Sequence, residues 1–393
     1  MEFKNLISSR LDKEKFYYNE YYKFEKYSNY KKQYLKNHDF VFDFGIGESE
    51  TLPPFEILST LAKDVYNYDM RVYSDNGIES FKLAAAKYLK EIYNVEILSY
   101  QKQINHVIGA KSALTLIPLT FIDKDDIVIN TIPGYDVLAN MAKWLEAKIY
   151  NVPLLKENNY LVDLDSIDEN VYQKCKIFII NYPNNPTGAI ATKDFYKKLI
   201  DKAKKYNFII VNDNTYGPIV YKQKPLSIFN IEGAFDVAIE IHSLSKVFSM
   251  SGMRIGFIVG SGEVIDIIKK VKDNVDSGQY IPIQEAGIVA LKNAKKQIKS
   301  INKKYYSRML KIASIFSKHN FDVTISEGTY YLYIKHNEIK DSELLAKLLL
   351  EKCGVFVIPF ANSIRLSMTF KIVSTLDDFY DKLDLALDNL IIK

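Results

Sequence analysis

The sequence predicts an α/β protein: a mainly parallel sheet covered by helices on both faces, followed by a smaller α+β domain. Three observations carry that expectation. Between residues 77 and 259, seven short apolar runs alternate with stretches of helical periodicity, the pattern of a chain that passes repeatedly from strand to helix. After Gly262 the pattern changes to a long helical stretch and then to short strands around one further helix. Finally, 393 residues with 48% hydrophobic and 25% charged content are enough for a sizeable core and two or more domains.

Residues 1–40 are rich in lysine and tyrosine, with Phe16, Tyr17, Tyr18, Tyr21 and Tyr22 among Lys13, Lys15, Lys23 and Lys26. Interleaved cations and aromatics can stack on and neutralise single-stranded nucleic acid. Here Asp12, Glu14, Glu20 and Glu25 offset the charge, and an arm packing on the body or on a partner subunit is the better reading. The first amphipathic helix is expected over 77–93, where Ile78, Phe81, Leu83, Ala84, Ala85, Tyr88 and Leu89 recur at helical spacing. Strands are expected at 104–108, 127–130, 148–152, 177–180, 208–211, 237–241 and 254–259, with helices between several of them, including 135–147 and 193–206. Helical periodicity then runs through residue 318. Strands follow near 321–325 and 330–334, a helix at 342–352, strands near 355–358 and 364–370, and a final helix. That last part reads as the smaller domain, completed by the N-terminal segment.

Composition narrows the function. A net charge of +4 on 100 charged side chains is close to balance and gives no argument for nucleic acid, which calls for a clustered basic stripe. Cys175 and Cys353 lie far apart with no CxxC spacing, so neither a disulfide framework nor a metal site is expected. The start of the chain lacks a continuous apolar leader, and runs such as Phe208-Ile209-Ile210-Val211 are too short to span a bilayer. A soluble, cytoplasmic protein with no membrane partner is the expectation. Of 52 basic residues only five are arginine (Arg10, Arg71, Arg254, Arg308, Arg365), so each position where a planar fork replaces an ammonium invites a reason.

Ligands of open parallel sheets sit beyond the carboxyl ends of the strands. Five successive strand ends carry small, aromatic or ionisable residues: Gly109-Ala110-Lys111-Ser112; Pro133-Gly134-Tyr135; Asn181-Tyr182-Pro183-Asn184-Asn185-Pro186-Thr187-Gly188; Asp213-Asn214-Thr215-Tyr216; and Ser243-Leu244-Ser245-Lys246. Each has an ordinary alternative. The first could be a plain helix start, and it is not a P-loop, since Ala110 stands where that motif needs glycine; its functional reading is an N–H cradle for a phosphate. The proline-rich segment could be only a turn, Asp213 a helix cap, and Lys246 one of 47 lysines.

Their joint order decides. Asn185-Pro186-Thr187-Gly188, then Asp213-x-x-Tyr216, then Ser243-x-Ser245-Lys246, then Arg254 resembles fold-type I pyridoxal-phosphate enzymes, specifically the class I/II aminotransferases. Tyr73-Ser74-Asp75-Asn76-Gly77-Ile78, the 181–188 segment, the 272–284 segment and Gly109-Ala110-Lys111-Ser112-Ala113-Leu114 look like the LL-diaminopimelate aminotransferase branch. The resemblance covers nearly the whole chain. It implies a seven-stranded sheet in a large cofactor-binding domain at 49–290, a small C-terminal domain at 291–393, and residues 1–48 as arm and part of the small domain.

The resemblance also implies roles. Lys246 would join the pyridoxal 5'-phosphate aldehyde and then shuttle the substrate α-proton, which calls for a depressed pKa. Asp213 would keep the pyridine nitrogen protonated. Asn185 and Tyr216 would hydrogen-bond the phenolic oxygen, and Tyr135 would stack on the ring. The phosphate would be held by N–H groups of Ala110 and Lys111, hydroxyls of Ser243 and Ser245, the fork of Arg254, and Tyr73 of a neighbouring subunit, which makes the active unit a homodimer. Arg365, in an alternating strand, would capture the substrate α-carboxylate bidentately, with Ile46 and Gly47 lining the same pocket and Asn185 close by. Arg71 is expected to help shape the subunit interface; Arg10 and Arg308 receive no role.

The sequence departs from the branch at several points: Asn214-Thr215 replaces two alanines, Met253 a tryptophan, Glu327-Gly328 a Gly-Gly pair, and the segment after Arg365 is shorter. Three activities follow for comparison. The first is ping-pong transamination between an amino acid and a 2-oxo acid, with LL-diaminopimelate and 2-oxoglutarate as a candidate pair. The second is a lyase, decarboxylase or cyclase on the same scaffold in specialised biosynthesis, and the third a non-catalytic regulator. The last is disfavoured, because no helix-turn-helix precedes residue 40 and every cofactor position is filled.

Overall fold

The computed structural model describes residues 6–11, 23–372 and 375–390. Residues 12–22, in the aromatic stretch expected to form an arm, lie outside the described residues. The chain divides into two units. The smaller takes in described residues up to Glu50, Tyr305–Ser326, and those from Tyr330 onward; the larger holds Thr51–Lys304 and Glu327–Thr329. The division falls inside one unbroken helix, Ala294–Lys318, whereas the sequence reading set its boundary at 290/291. A continuous helix carries no local mark of where its neighbours change.

Strand β1 (Phe42–Asp43) belongs to the smaller unit. The next seven strands form the sheet of the larger unit: β2 (Ile104–Val107), β3 (Ile127–Ile132), β4 (Lys148–Pro153), β5 (Cys175–Ile180), β6 (Ile209–Asp213), β7 (Ala238–Ser243) and β8 (Gly256–Val259). Their order is β2-β8-β7-β6-β5-β3-β4. All neighbours pair in parallel except β8, which runs antiparallel to both β2 and β7. β5, with Ile177, Phe178, Ile179 and Ile180 in succession, is an apolar run buried on both faces, as central parallel strands are.

One face of this sheet presents Val107, Val211, Ile239, Ile241 and Ile258 to an aliphatic cluster that includes Ala113, Leu114, Ile117, Leu138, Ala142, Ile265 and Ile268. Those residues come from helices Ala110–Phe121, Val137–Trp144 and Gly262–Lys272. The alternate strand residues His106, Asn212, Glu240, His242 and Phe257 turn the other way and are buried with Phe81, Tyr88 and Tyr93 of helix Glu79–Tyr93 and Tyr196 of helix Lys193–Tyr206. A buried carboxylate needs partners, and Glu240 has four: Ser227 Oγ (2.7 Å), the Ile228 N–H (3.0 Å), Asn212 Nδ2 (2.9 Å) and His242 Nε2 (2.8 Å). Helix Lys193–Tyr206 starts where Thr192 Oγ1 accepts from the Phe195 N–H (3.1 Å) and ends at left-handed Asn207.

Several local expectations need correcting. Arg254 lies outside β8, in a left-handed turn at φ 54° after the short helical turn Ser251–Met253. Tyr135 lies in a loop, two residues before helix Val137–Trp144 begins. The helical stretch after Gly262 is broken between Lys272 and Ile281, and the strand expected at 321–325 is only Phe321–Asp322.

In the smaller unit, β9 (Phe321–Asp322), β10 (Tyr331–His336), β12 (Ile358–Phe360) and β13 (Ser363–Ser367) make an antiparallel sheet ordered β12-β13-β10-β9, and β1 pairs in parallel with β11 (Val355–Phe356). Its aromatic core sets Phe370 face to face with Phe379 at 4.6 Å, with Phe42 and Phe44 edge-on. Arg308, left without a role by the sequence, is 7% exposed there. Its Nη1 reaches Glu50 Oε1 (2.9 Å) and the Met368 (2.9 Å) and Phe370 (3.3 Å) carbonyls, and its guanidinium lies over the Phe370 ring at 4.6 Å. Removing one partner of a buried ion pair strands the other. Arg308→Ala is therefore expected to destabilise the protein by about 3–5 kcal/mol in calorimetric melting; a loss under about 1 kcal/mol would show that the pair is structurally idle.

Candidate active site

Strand direction explains why distant residues meet. Because β8 is antiparallel, Gly256 at its start lies opposite Val107 at the end of β2 and Ser243 at the end of β7. Arg254, two residues earlier, thus emerges at the edge where the parallel strands finish. Gly109 follows β2 and precedes helix Ala110–Phe121, with φ 77°. At that φ an L side chain is strained, and its Cβ would sit 2.5 Å from Arg254 Nη2, pushing the guanidinium from this helix start.

The cradle is cationic and rich in donors. Arg254 Nη1 donates to the Ser251 carbonyl (2.7 Å) and contacts Ser245 Oγ (3.5 Å), and Ser245 N–H donates to Ser243 Oγ (3.2 Å). First-turn N–H groups of a helix, here including those of Ala110 and Lys111, have no acceptor within the helix. Burial, and then the charge of Arg254, hold the Lys111 ammonium below its ordinary pKa. Two cations, two hydroxyls and a helix N-terminus form a set suited to a phosphate dianion.

Asp213 ends β6 and is buried. Both its side-chain hydrogen bonds fall on Oδ1, from Thr215 N–H (3.1 Å) and Thr215 Oγ1 (2.6 Å), while its carbonyl accepts from Asn181 Nδ2 (2.7 Å). Burial raises its pKa against the opposing pull of Thr215, Lys246 and His242. An added cationic N–H donor would relieve that desolvation, so this carboxylate fits a protonated pyridine nitrogen. Asn181 also fixes the neighbouring loop: its Oδ1 accepts from the Asn185 N–H (2.8 Å), and Asn184 Oδ1 holds Thr187 N–H (3.1 Å) and Oγ1 (2.8 Å). Lys246 is half-buried just beyond β7, with Nζ 6.0 Å from the centroid of the buried Tyr216 ring. Tyr135 is half-buried and packs against the aliphatic cluster.

In the smaller unit Arg365 sits mid-strand in β13, opposite Tyr333 and Ile358. A lone strand arginine is ordinarily solvated; this one is 1% exposed. Its Nη2 donates to the Gly45 carbonyl (2.6 Å), and its guanidinium lies 4.2 Å from the Tyr331 ring centroid and 5.4 Å from that of Phe360. Gly47 is required nearby, since a Cβ would fall 1.9 Å from the Tyr331 hydroxyl. Ile46 offers its carbonyl to Thr369 Oγ1 (3.1 Å). In the larger unit, Tyr73 is an 84% exposed side chain in the loop after Tyr68–Arg71.

Thr215 stands in the sequence only as a departure, with its hydroxyl bond to Asp213 unmarked. Tyr331 receives no role there. For Thr215 a signal existed, a hydroxyl two residues after a strand-end aspartate, the spacing of a local side-chain turn. None existed for Tyr331, whose partner is 34 residues away in the next strand of the sheet.

A cationic helix start, a buried carboxylate and a lysine at the carboxyl edge of one mainly parallel sheet suit a phosphorylated, ring-nitrogen cofactor. The profile of the family described as aminotransferase class I and II matches residues 40–376, and the chain belongs to that family. It is similar to the LL-diaminopimelate aminotransferase of Methanocaldococcus jannaschii, 38% identical over 93% of this chain and 90% of that one. It is 40% identical to the enzyme of that name from Aquifex aeolicus, over 81% of this chain and 83% of that one. Among solved structures it resembles substrate-bound BacF from Bacillus subtilis, with TM-score 0.86 and 28% identity over 93% of this chain and 95% of that one. The protein is a pyridoxal-phosphate-dependent aminotransferase, acting on an amino acid and a 2-oxo acid; these likenesses do not favour the lyase alternative.

Proposed function

We propose that this enzyme transfers the amino group of LL-diaminopimelate to 2-oxoglutarate by a ping-pong sequence. The meeting of Arg254, Gly109 and the helix start at the strand ends that also carry Asp213 and Lys246 is the observation that carries the site assignment; the relatives' names carry the substrate. Pyridoxal 5'-phosphate supplies, when bound, a cationic ring that accepts the electron pair left as the substrate α-proton departs. The chain does the rest. Arg254, Ser243, Ser245 and the N–H groups of Ala110 and Lys111 hold the phosphate; Asp213 keeps the ring nitrogen protonated; Asn185 and Tyr216 bind the phenolic oxygen; Tyr135 covers the ring. Lys246 Nζ would carry the proton from the donor α-carbon to C4′ of the cofactor, and from C4′ to the α-carbon of the new amino acid in the second half of the cycle. Arg365 fixes the α-carboxylate, with Ile46 and Gly47 beside it.

The assembly proposed is a cytoplasmic homodimer in which Tyr73 reaches the partner's phosphate. Leu52, Phe55, Tyr66, Tyr68, Val72 and Tyr73 are 62–90% exposed within one short stretch, a concentration of apolar surface suited to a second copy. Arg71 stacks on Tyr68 at 4.1 Å in the same stretch, in keeping with an interface role. The free, buried Cys175 and Cys353 suit a reducing compartment. The test of substrate is a coupled assay run in both directions, with LL-diaminopimelate plus 2-oxoglutarate and with tetrahydrodipicolinate plus glutamate. Turnover in both supports the assignment; turnover with another amino donor and none with LL-diaminopimelate reassigns the substrate.

A further inference from the structure

The 272–284 segment enters the site in a way that no local motif announces. Gln279, 8% exposed, follows the left-handed Gly278 and points its side chain at the turn that carries Arg254. Its Nε2 donates to two successive carbonyls, of Met253 (2.6 Å) and Arg254 (2.8 Å). Arg254 is a non-glycine residue at φ 54°, ψ 54°, a conformation that side chains seldom adopt unless the surroundings impose it. The amide clamp is such an imposition.

The clamp is itself oriented. Gln279 Oε1 meets His106 Nε2 at 2.8 Å. Burial brings the His106 pKa down to about 4, so near neutral pH the ring is uncharged, and a single ring N–H pointed at Oε1 leaves the amide nitrogen facing the two carbonyls. On its other side, the Gln279 carbonyl accepts from Ser74 Oγ (2.7 Å) and from Gln284 Nε2 (2.7 Å), and Gln284 Nε2 also reaches Ser74 Oγ (2.8 Å). Ser74 directly follows the exposed Tyr73. One buried residue thus ties the turn of Arg254 to the loop that presents Tyr73.

We infer that Gln279 is a positioning residue for cofactor binding: its amide holds the left-handed turn that aims Arg254 at the helix start, and its carbonyl anchors the Tyr73 loop. This rests on Arg254 being a phosphate ligand. Gln279 touches neither Lys246 nor Asp213 among the described contacts, so it acts on affinity for the cofactor rather than on the proton transfer.

The experiment is a spectrophotometric titration of the apoenzyme with pyridoxal 5'-phosphate for the wild type, Gln279→Met, Arg254→Ala and the double variant. Gln279→Met is expected to weaken cofactor binding about tenfold or more, with kcat at saturating cofactor within about threefold of wild type. In the Arg254→Ala background the same substitution should have little further effect, because residues acting through one contact are not additive. Unchanged affinity in Gln279→Met, or a full additive loss in the double variant, overturns the inference. Unchanged affinity in Arg254→Ala overturns the phosphate-ligand reading beneath it, a result distinguishable from the other two. Should Gln279→Met not fold, Gln279→Glu keeps the side-chain length while turning the clamp toward the carbonyls repulsive when ionised; it should show the same loss and the same lack of additivity, and wild-type affinity in it overturns the inference equally.

Discussion

Lys246→Ala is expected to abolish turnover while leaving the fold intact. Lys246 is half-buried just beyond β7, and the buried Asp213, whose charged form it favours, keeps both hydrogen bonds from Thr215 when the amine is removed. What the substitution removes is chemical: the amine that joins the cofactor and the base that moves the α-proton. A positioned general base alone contributes on the order of 10²–10⁴-fold, and loss of the covalent link adds to this, so steady-state activity should fall below detection. Circular dichroism and melting temperature should stay close to wild type. Full activity in the variant would sink the assignment of Lys246.

Arg365→Lys should weaken substrate binding far more than any surface lysine substitution. The wild-type guanidinium is held by the Gly45 carbonyl at 2.6 Å and by the Tyr331 and Phe360 rings. Those contacts orient a planar fork that can meet a carboxylate with two parallel N–H groups. An ammonium keeps the charge, loses the fork and the stacking, and must reach the same place on a flexible stem. Loss of a charge-assisted hydrogen bond is worth about 1.5–3 kcal/mol, so KM for the amino acid should rise roughly 10- to 100-fold, with cofactor affinity unchanged. A KM within about twofold of wild type would mean that another group binds the α-carboxylate.

Much of this site was legible because the chemistry-bearing residues are local to strand ends. The strand ending at Asp213, the helix start at Ala110 and the Ser243-x-Ser245-Lys246 turn follow from short apolar runs and the polar residues after them. The direction of β8 was not legible, since an antiparallel strand reads like a parallel one in apolar pattern. Nor does the apolar pattern mark a non-glycine residue at positive φ, so the strand expected from 254 begins only at Gly256, after the left-handed turn at Arg254. The buried state of Arg365 escaped for a related reason: its stacking partners, Tyr331 and Phe360, lie on adjacent strands and are set by sheet register. Gln279 and Arg308 act through hydrogen bonds to main-chain carbonyls far along the chain, and no periodicity records those. Of the five arginines, Arg254 and Arg365 each donate to a main-chain carbonyl and Arg308, to which the sequence assigns no role, pairs with Glu50.

The most direct test of the whole account is a single-turnover panel in which the purified holoenzyme is mixed with individual amino acids and no 2-oxo acid. Transamination predicts that a preferred amino acid converts the cofactor stoichiometrically to its amino form, releasing one equivalent of 2-oxo acid per subunit, and that added 2-oxo acid restores the starting spectrum. Continuous release of ammonia, sulfide or carbon dioxide without that stoichiometric conversion, or no spectral response to any amino acid, would contradict it.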